Sequence, residues 1–306
     1  MKWRIDDVPV FVAVVERGGI TAAAQALAMP KSSVSKSITR LEHDLGVRLL
    51  DRNSRRVRVT SEGEAFFRQC QRIMDEIGET DAVMTGLTMV PRGRLTVATP
   101  PAFCQEVLAP HLAGFHRRYP EIELDLVVTS HAVDMLGEQF DVAVVVGVQA
   151  DSEFTQKSLL GGRLIWIAAP AYVAAHHIGC DAHDLLRHVQ ICERRYVARP
   201  LALKQDHQTL RLDVGPRAIR VNDPLAVREA VMHGAGVSFL PERYCRDLIR
   251  AGRLTQVGVE VEFDTSASIL SAVFPSRRLV SARTRAFLDF LEEICAPLAD
   301  ADRRRA

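Results

Sequence analysis

The sequence predicts an α/β chain: a small, mostly helical head with a β wing, one long helix, and a larger region of alternating strands and helices. Three patterns carry that prediction. Residues 21–42, TAAAQALAMPKSSVSKSITRLE, read as two short helices joined by a tight turn. Apolar residues from Phe66 to Leu87 recur with the 3.5-residue period of a helix seam. Beyond Gly93, short apolar runs typical of strands alternate with runs of helical period.

The head is read element by element. Val10, Phe11, Val14 and Val15 fall at helical spacing, and Gly18 and Gly19 end that first helix. Thr21 is the expected N-cap of a second helix. Its Ala22, Ala23, Ala24 and Ala26 are small enough to let a neighbour cross steeply and close. Pro30 suits the first position of a third helix, where no backbone N–H is needed. Val34, Ile38 and Leu41 then form the buried stripe, leaving Lys31, Ser32, Ser33, Ser35, Lys36 and Thr39 on the sides and outer face. Short hydroxyls and lysines fit a DNA major groove, where they reach phosphates and base edges without bulk. The competing expectation for this stretch alone is an ordinary solvated face.

Two features beside it favour DNA. Residues 48–60, RLLDRNSRRVRVT, carry five arginines against one acid; Val57, Arg58 and Val59 alternate like a short strand, and Asn53 and Ser54 offer a turn. This is the pattern of a basic wing. Residues 1–60 hold eleven Lys/Arg and six Asp/Glu, a net of +5, so a chain whose total is +1 carries −4 in the remainder. The basic end is the end with the paired helices.

Between Ser61 and Leu87, the residues Phe66, Cys70, Ile73, Ile77, Thr80, Met84 and Leu87 recur at alternating steps of four and three. A helix of that length extends roughly 40 Å, and so narrow a stripe is hard to bury within one small domain. Phe66, Cys70, Ile73, Ile77, Met84 and Leu87 are therefore expected to pair two copies of the chain, the alternative being a long helix packed on its own C-terminal region. A dimer implies two half-sites in approximate inverted symmetry on the DNA. Residues 90–93, VPRG, break the helix and open the next region.

With these residues in place, the head resembles the N-terminal winged helix-turn-helix of LysR-type transcriptional regulators. Phe11, residues 21–24, Leu27, Val34, Ser35, Ile38, Leu41, Glu42, Leu45, Gly46, Val47, Leu49, Arg52, Thr60 and Gly63 carry the match. The resemblance implies groove contact by Lys31, Ser32, Ser35 and Lys36, and phosphate or minor-groove contact by Thr21, Arg52, Arg55 and Arg56. Family members usually have Ser-Gln or similar where this chain has Pro30 and Lys31, a departure that resembles one sub-branch and leaves the base preference open.

In the remainder, strands are expected at residues 95–99, 122–128, 142–146, 164–168, 218–221, 237–240 and 269–274. Helices are expected at 102–119, 133–138, 171–176, 184–188, 224–233 and 282–295. A βαβαβ order implies a parallel sheet covered by helices on both faces. The same family resemblance implies a two-lobed effector-binding domain built like a periplasmic binding protein. It divides the chain into residues 1–60, the linker helix 61–90, and 91–306, with lobe I at about 94–160 and 270–296 and lobe II at about 161–269.

Ligands of open α/β sheets bind beyond the carboxyl ends of strands, near free helix N–H groups. Three junctions fit: Thr99 with Pro100 and Pro101, Thr129 with Ser130 and His131, and Asn222 with Asp223 and Pro224. Thr99, Pro100, Thr129, Ser130 and Asn222 are the candidate effector contacts, and Asp223 is expected simply to cap its helix. Val145 stands where many relatives carry an arginine near the cleft, which points to an apolar or weakly charged effector, or to none.

Other patterns carry less. His176, His177, Cys180 and His183 match no defined zinc spacing, and the cysteines at 70, 104, 180, 192, 245 and 295 form no close pair, so no metal and no cofactor is expected. Reduced thiols are the expectation, with Cys104 a possible sensor near the cleft. No nucleophile elbow, phosphate loop or paired catalytic carboxylates occur, so an enzyme is not expected. A hydrophobic content of 47% argues against wholesale disorder, and no apolar run approaches the eighteen or so residues of a membrane helix. The expectation is a bacterial, cytoplasmic, nucleoid-associated regulator that binds double-stranded promoter DNA as a homodimer or homotetramer and answers to a small-molecule effector. The alternative is a DNA-binding oligomeric architectural or repressor protein with no effector.

Overall fold

The computed structural model describes residues 2–51, 58–85, 90–130, 140–147, 154–198, 202–205, 208–211, 213–259, 261–263, 268–275 and 280–303. The chain divides into two compact units, residues 1–90 and 91–306.

In the first unit, helices α1 (Asp7–Glu16), α2 (Ile20–Ala26) and α3 (Lys31–Leu45) enclose a core of Val8, Val10, Phe11, Val14, Ala23, Ala24, Val34, Ile38 and Leu41. The alanines of α2 bring it against α3 as their size requires. Two helix starts differ from expectation. Gly19, in extended backbone, is the N-cap of α2, and Thr21 lies inside the helix without a capping bond. Pro30 is itself the N-cap of α3 rather than its first residue, and its carbonyl accepts from the N–H groups of Ser33 and Val34. Gly46 ends α3 at φ 72°, a left-handed position that a side chain resists.

Two short strands, β1 (Leu50–Asp51) and β2 (Arg58–Val59), pair antiparallel as the base of a wing. Its expected turn at Asn53 and Ser54 lies outside the described residues. Helix α4 (Ser61–Thr85) follows, started by Thr60, whose Oγ1 accepts from the Gly63 N–H at 2.9 Å and donates to the Arg48 carbonyl at 2.7 Å.

The second unit has two cores. Strands β3 (Gly93–Thr99), β4 (Ile122–Val128), β5 (Val142–Val146), β6 (Phe154–Leu160) and β15 (Leu270–Pro275) form a sheet in the order β4-β3-β5-β15-β6. The first three are parallel, but β15 runs antiparallel to both β5 and β6, so the sheet is mixed rather than wholly parallel. The chain leaves this lobe after β6 and returns at β15, and a returning strand is free of the right-handed crossover that enforces parallel order.

Residues 101–118 run as α5 (Pro101–Phe103), a π turn, a 3-10 turn and α6 (Leu112–Arg118). Pro110 lacks the N–H that a regular α-helix would use there, and the ladder adjusts around it. Helix α12 (Ala282–Arg303) covers the sheet, with Phe287 and Phe290 5.5 and 4.9 Å from Phe115 between ring centroids.

The second lobe carries β7 (Leu164–Ala168), α7 (Pro170–Ala175), α8 (Ala182–Arg187), β8 (Ile191–Glu193), α9 (Arg194–Ala198), the hairpin β9 (Ala202–Gln205) and β10 (Gln208–Arg211), and β11 (Ile219–Val221). It continues through α10 (Pro224–Met232), β12 (Val237–Pro241), α11 (Arg246–Arg250), β13 (Thr255–Val257) and β14 (Glu262–Phe263). Trp166 anchors its core against Phe239 and Phe263 and donates from Nε1 to the Val261 carbonyl at 3.2 Å. The expected helix at 133–138 lies outside the described residues.

Gly63 shows how tightly the head is built. A Cβ added there would lie 2.1 Å from the Leu49 carbonyl oxygen. Gly63→Ala is therefore expected to cost the head about 1–3 kcal/mol, as overpacking against backbone does. Denaturant unfolding of the wild type and variant, followed by circular dichroism, measures it.

Candidate functional site

The outer face of α3 is defined by what holds its inner face. Val34, Ile38 and Leu41 are fully buried, as their spacing requires. Arg40 turns inward to Asp7 of α1, with Nε and Nη2 at 2.9 and 2.5 Å from its two carboxylate oxygens. Burial alone would raise the Asp7 carboxyl, but hydrogen bonds from Arg40 and Ser37 and the charges of Arg40 and Arg4 outweigh it and hold it below the usual carboxylate range. Near the other end, Glu42 Oε1 accepts from the N–H groups of Leu49 and Leu50 at 2.9 and 3.1 Å, tying the helix to the wing.

What remains outward is a compact polar surface. Lys31, Ser32, Lys36 and Thr21 are exposed, and Ser33 and Ser35 are half-buried. Thr39 Oγ1 donates back to the Ser35 carbonyl at 2.9 Å. Arg52, Arg55 and Arg56 lie outside the described residues, whereas Arg58 is exposed at the base of the wing.

The seam on α4 is partly occupied by the head itself. Cys70 is completely buried in the head's core, and Phe66 packs against Trp3 and Phe11 at 5.7 and 5.5 Å. Cys70 is therefore enclosed by the head, a correction to the predicted seam, while Phe66 is half-buried against it. Burial also pushes the Cys70 thiol up to about 12. Farther along, Ile73 is half-buried and Ile77 is 43% exposed. The side chain of Met84, and Leu87, lie outside the described residues.

Between the two lobes of the second unit lies an open cleft. Pro100, Ser130 and Asn222 line it, and Asn222 Nδ2 donates across it to Ser130 Oγ at 2.7 Å. Thr99 does not: it is completely buried, its carbonyl accepting from the Thr129 N–H at 3.0 Å, and Thr129 is likewise absent from the lining. A residue at the very end of a central strand is covered by the helix that follows, which the junction rule overlooked. Asp223 caps α10 as expected, accepting from the Leu225 N–H at 3.0 Å. The lobes also meet where Arg228 Nη2 lies 2.9 Å from Glu106 Oε1 and its Nη1 donates to the Tyr244 carbonyl at 2.7 Å.

The cleft is not the apolar pocket that Val145 suggested. Glu193, Arg195 and Arg243 all line it, together with Tyr196 and Tyr244. Glu193 is 2% exposed at the end of β8, with Arg195 Nε 3.7 Å from its Oε1. Burial pushes its carboxyl up to about 7, opposed by the charge of Arg195 and reinforced by that of Asp223. Sequence reasoning missed Glu193 and Arg195 because β8 was not expected. An acid closing a short apolar run, residues 189–193, and an arginine just past the expected strand at 237–240 were the available signals.

The comparisons decide the assignment. Residues 5–64 match the model of the bacterial regulatory helix-turn-helix protein, lysR family, and residues 89–296 match that of the LysR substrate binding domain. The chain belongs to the LysR family. Among similar regulators of this family, PtxR of Pseudomonas aeruginosa is 33% identical, covering 92% of this chain and 90% of its own. CrgA of Neisseria meningitidis is 31% identical, covering 96% and 97%. The solved structure of CrgA, a LysR-type transcriptional regulator, superposes with a TM-score of 0.61 over 94% of this chain and 97% of that one. AphB, a virulence activator of Vibrio cholerae, shares the fold at 23% identity and a TM-score of 0.60, covering 95% of this chain and 99% of its own. This LysR-family chain is accordingly a transcriptional regulator with a DNA-binding head and an effector-binding domain.

Glu193 gives this regulator a testable pH signature. Its folded-state pKa lies above its unfolded value, so the folded state holds the extra proton between about 4.5 and about 7, and stability falls as pH rises through that window. The shift corresponds to roughly 3 kcal/mol. Thermal unfolding scans across pH should show this decline in the wild type, and Glu193→Gln should remove most of it and raise the melting temperature at pH 8.

Proposed function

We propose that this regulator reads promoter DNA with the outer face of α3, using Lys31, Ser32, Ser33, Ser35 and Lys36 in the major groove. Thr21 and the wing arginines, Arg52, Arg55 and Arg56 with Arg58, hold the flanking backbone. The observation that carries this reading is the division of α3 itself. Its apolar stripe, Arg40 and Glu42 are all engaged by the head, while Lys31, Ser32 and Lys36 are exposed with short side chains between them. Lysine and serine reach phosphates and base edges from such a face, and the net positive charge of the head supplies the sequence-independent attraction.

Two copies pair through α4 beyond the head's own core, using Ile73, Ile77, Met84 and Leu87, and so present two reading helices to an approximate inverted repeat. A homotetramer then engages two such repeats on cytoplasmic, nucleoid-associated DNA. The cleft of the second unit holds a small effector, contacted by Pro100, Ser130 and Asn222. Because the Asn222 to Ser130 hydrogen bond and the Arg228 to Glu106 pair bridge the lobes, a ligand between them shifts the balance of lobe arrangements only by its differential contacts. The residues of the cleft serve binding, and the chain acts as a regulator rather than as an enzyme.

Two measurements test this reading. Lys31→Ala and Lys36→Ala are each expected to weaken binding to duplex DNA and to reduce the slope of log affinity against log salt by about one. Fluorescence anisotropy across a salt series reads both; wild-type affinity and slope in both variants would remove α3 as the reading helix. Ile77→Asp is expected to shift the protein toward monomer in light-scattering measurements of mass, and an unchanged mass would exclude the α4 seam.

A further inference from the structure

Two residues of the cleft each carry a buried polar atom that has no hydrogen-bond partner among the described residues. One is Glu193 Oε2, in a residue 2% exposed. The guanidinium of Arg243 is held by neutral acceptors: its Nη2 donates to the carbonyls of Gly161 and, at 3.0 Å, Ser268. Its Nε is buried and unpartnered, and among the described residues no carboxylate pairs with it. Both residues line the same cleft.

A desolvated charge without a full set of partners is costly, and a ligand that supplies them recovers that cost on binding. The carboxylate oxygen calls for a charged donor, and the guanidinium N–H calls for a charged acceptor, since charge-assisted hydrogen bonds are the stronger kind. A simple carboxylic acid would bring a second negative charge toward Glu193. A simple amine would leave Arg243 unmet.

We propose that the cleft recognises a small zwitterion with the charge pattern of an amino acid, its protonated amine on Glu193 Oε2 and its carboxylate on Arg243 Nε. This rests on the cleft being the effector site.

The charged groups around Glu193 fit that assignment. Arg195 faces the other oxygen, Oε1, and Asp223 is occupied in capping α10. Arg228 of the same helix is taken by Glu106 and the Tyr244 carbonyl. Tyr196 and Tyr244 are buried phenols whose pKa values burial pushes upward, so they stay neutral. Glu193, raised to about 7, must be ionised to receive an ammonium, so affinity is expected to rise with pH through that value.

The test uses the purified full-length protein with the twenty standard L-amino acids, each one's 2-hydroxy acid and each one's decarboxylated amine, screened by thermal shift and measured by calorimetry. At least one amino acid should bind, its hydroxy acid and amine should each bind about ten-fold more weakly or worse, and its affinity should rise between pH 6 and pH 8. Glu193→Gln should lower that affinity by a similar factor and abolish the pH dependence while the unliganded protein melts no lower than wild type. An amino acid that binds no tighter than its hydroxy acid overturns the zwitterion assignment and leaves the effector cleft standing. Binding insensitive to Glu193→Gln also overturns it, and silence across all three compound sets overturns it together with the reading of the cleft as an effector site.

Discussion

Asp7 sits 1% exposed at the start of α1 and takes both Nε and Nη2 of Arg40 from α3. The outer face of α3 is what remains once this pair and the apolar stripe have claimed the opposite side. The geometry is bidentate, so it fixes the rotation of α3 as well as its distance from α1. Glu42 then adds the wing, and the approach of Gly63 to the Leu49 carbonyl adds α4. Because the Asp7 carboxyl lies below its unfolded value, the pair's contribution is present at neutral pH and lost as the solution is acidified through that lowered pKa. The outer polar surface of α3 is thus a consequence of an acidic residue buried in the head.

The effector unit uses buried charge in the opposite way. Asp7 is satisfied by its own chain, and Glu193 is not. An unmet carboxylate destabilises the fold at neutral pH, and such a cost persists where a binding partner offsets it. The bridge from Asn222 to Ser130 and the pair of Arg228 with Glu106 join the lobes at the cleft that Glu193 lines.

The head was legible in the sequence because its signals are local and dense. The stripe Val34, Ile38 and Leu41, the alanines of α2 and the glycine at 46 each dictate one feature with little competition. The wrong details were capping details: the N-cap of α2 is Gly19, two residues before Thr21, and Pro30 is the N-cap of α3, one position before the role assigned to it. The seam from Phe66 onward was read as one stripe, but its first turns are buried by Trp3 and Phe11, residues distant in sequence whose packing no periodicity reveals. In the second unit β3, β4, β5, β7, β12 and β15 followed from their apolar runs, but the seven-residue β6, with Thr155, Gln156 and Lys157 in its first half, did not, and β8 has three residues and β14 two, too short to leave a pattern. Glu193 was hidden for the same reason, since it closes the unseen β8, whereas Arg243 follows a strand that was expected but whose carboxyl end was not among the junctions singled out.

The central claim is that α3 is one of a pair of sequence-reading helices. Selection from a random duplex library by the purified full-length protein, followed by sequencing of the bound fraction, tests it most directly. The account predicts enrichment of an approximate inverted repeat whose half-sites lie about one helical turn apart. Recovery of DNA with no sequence preference would contradict it.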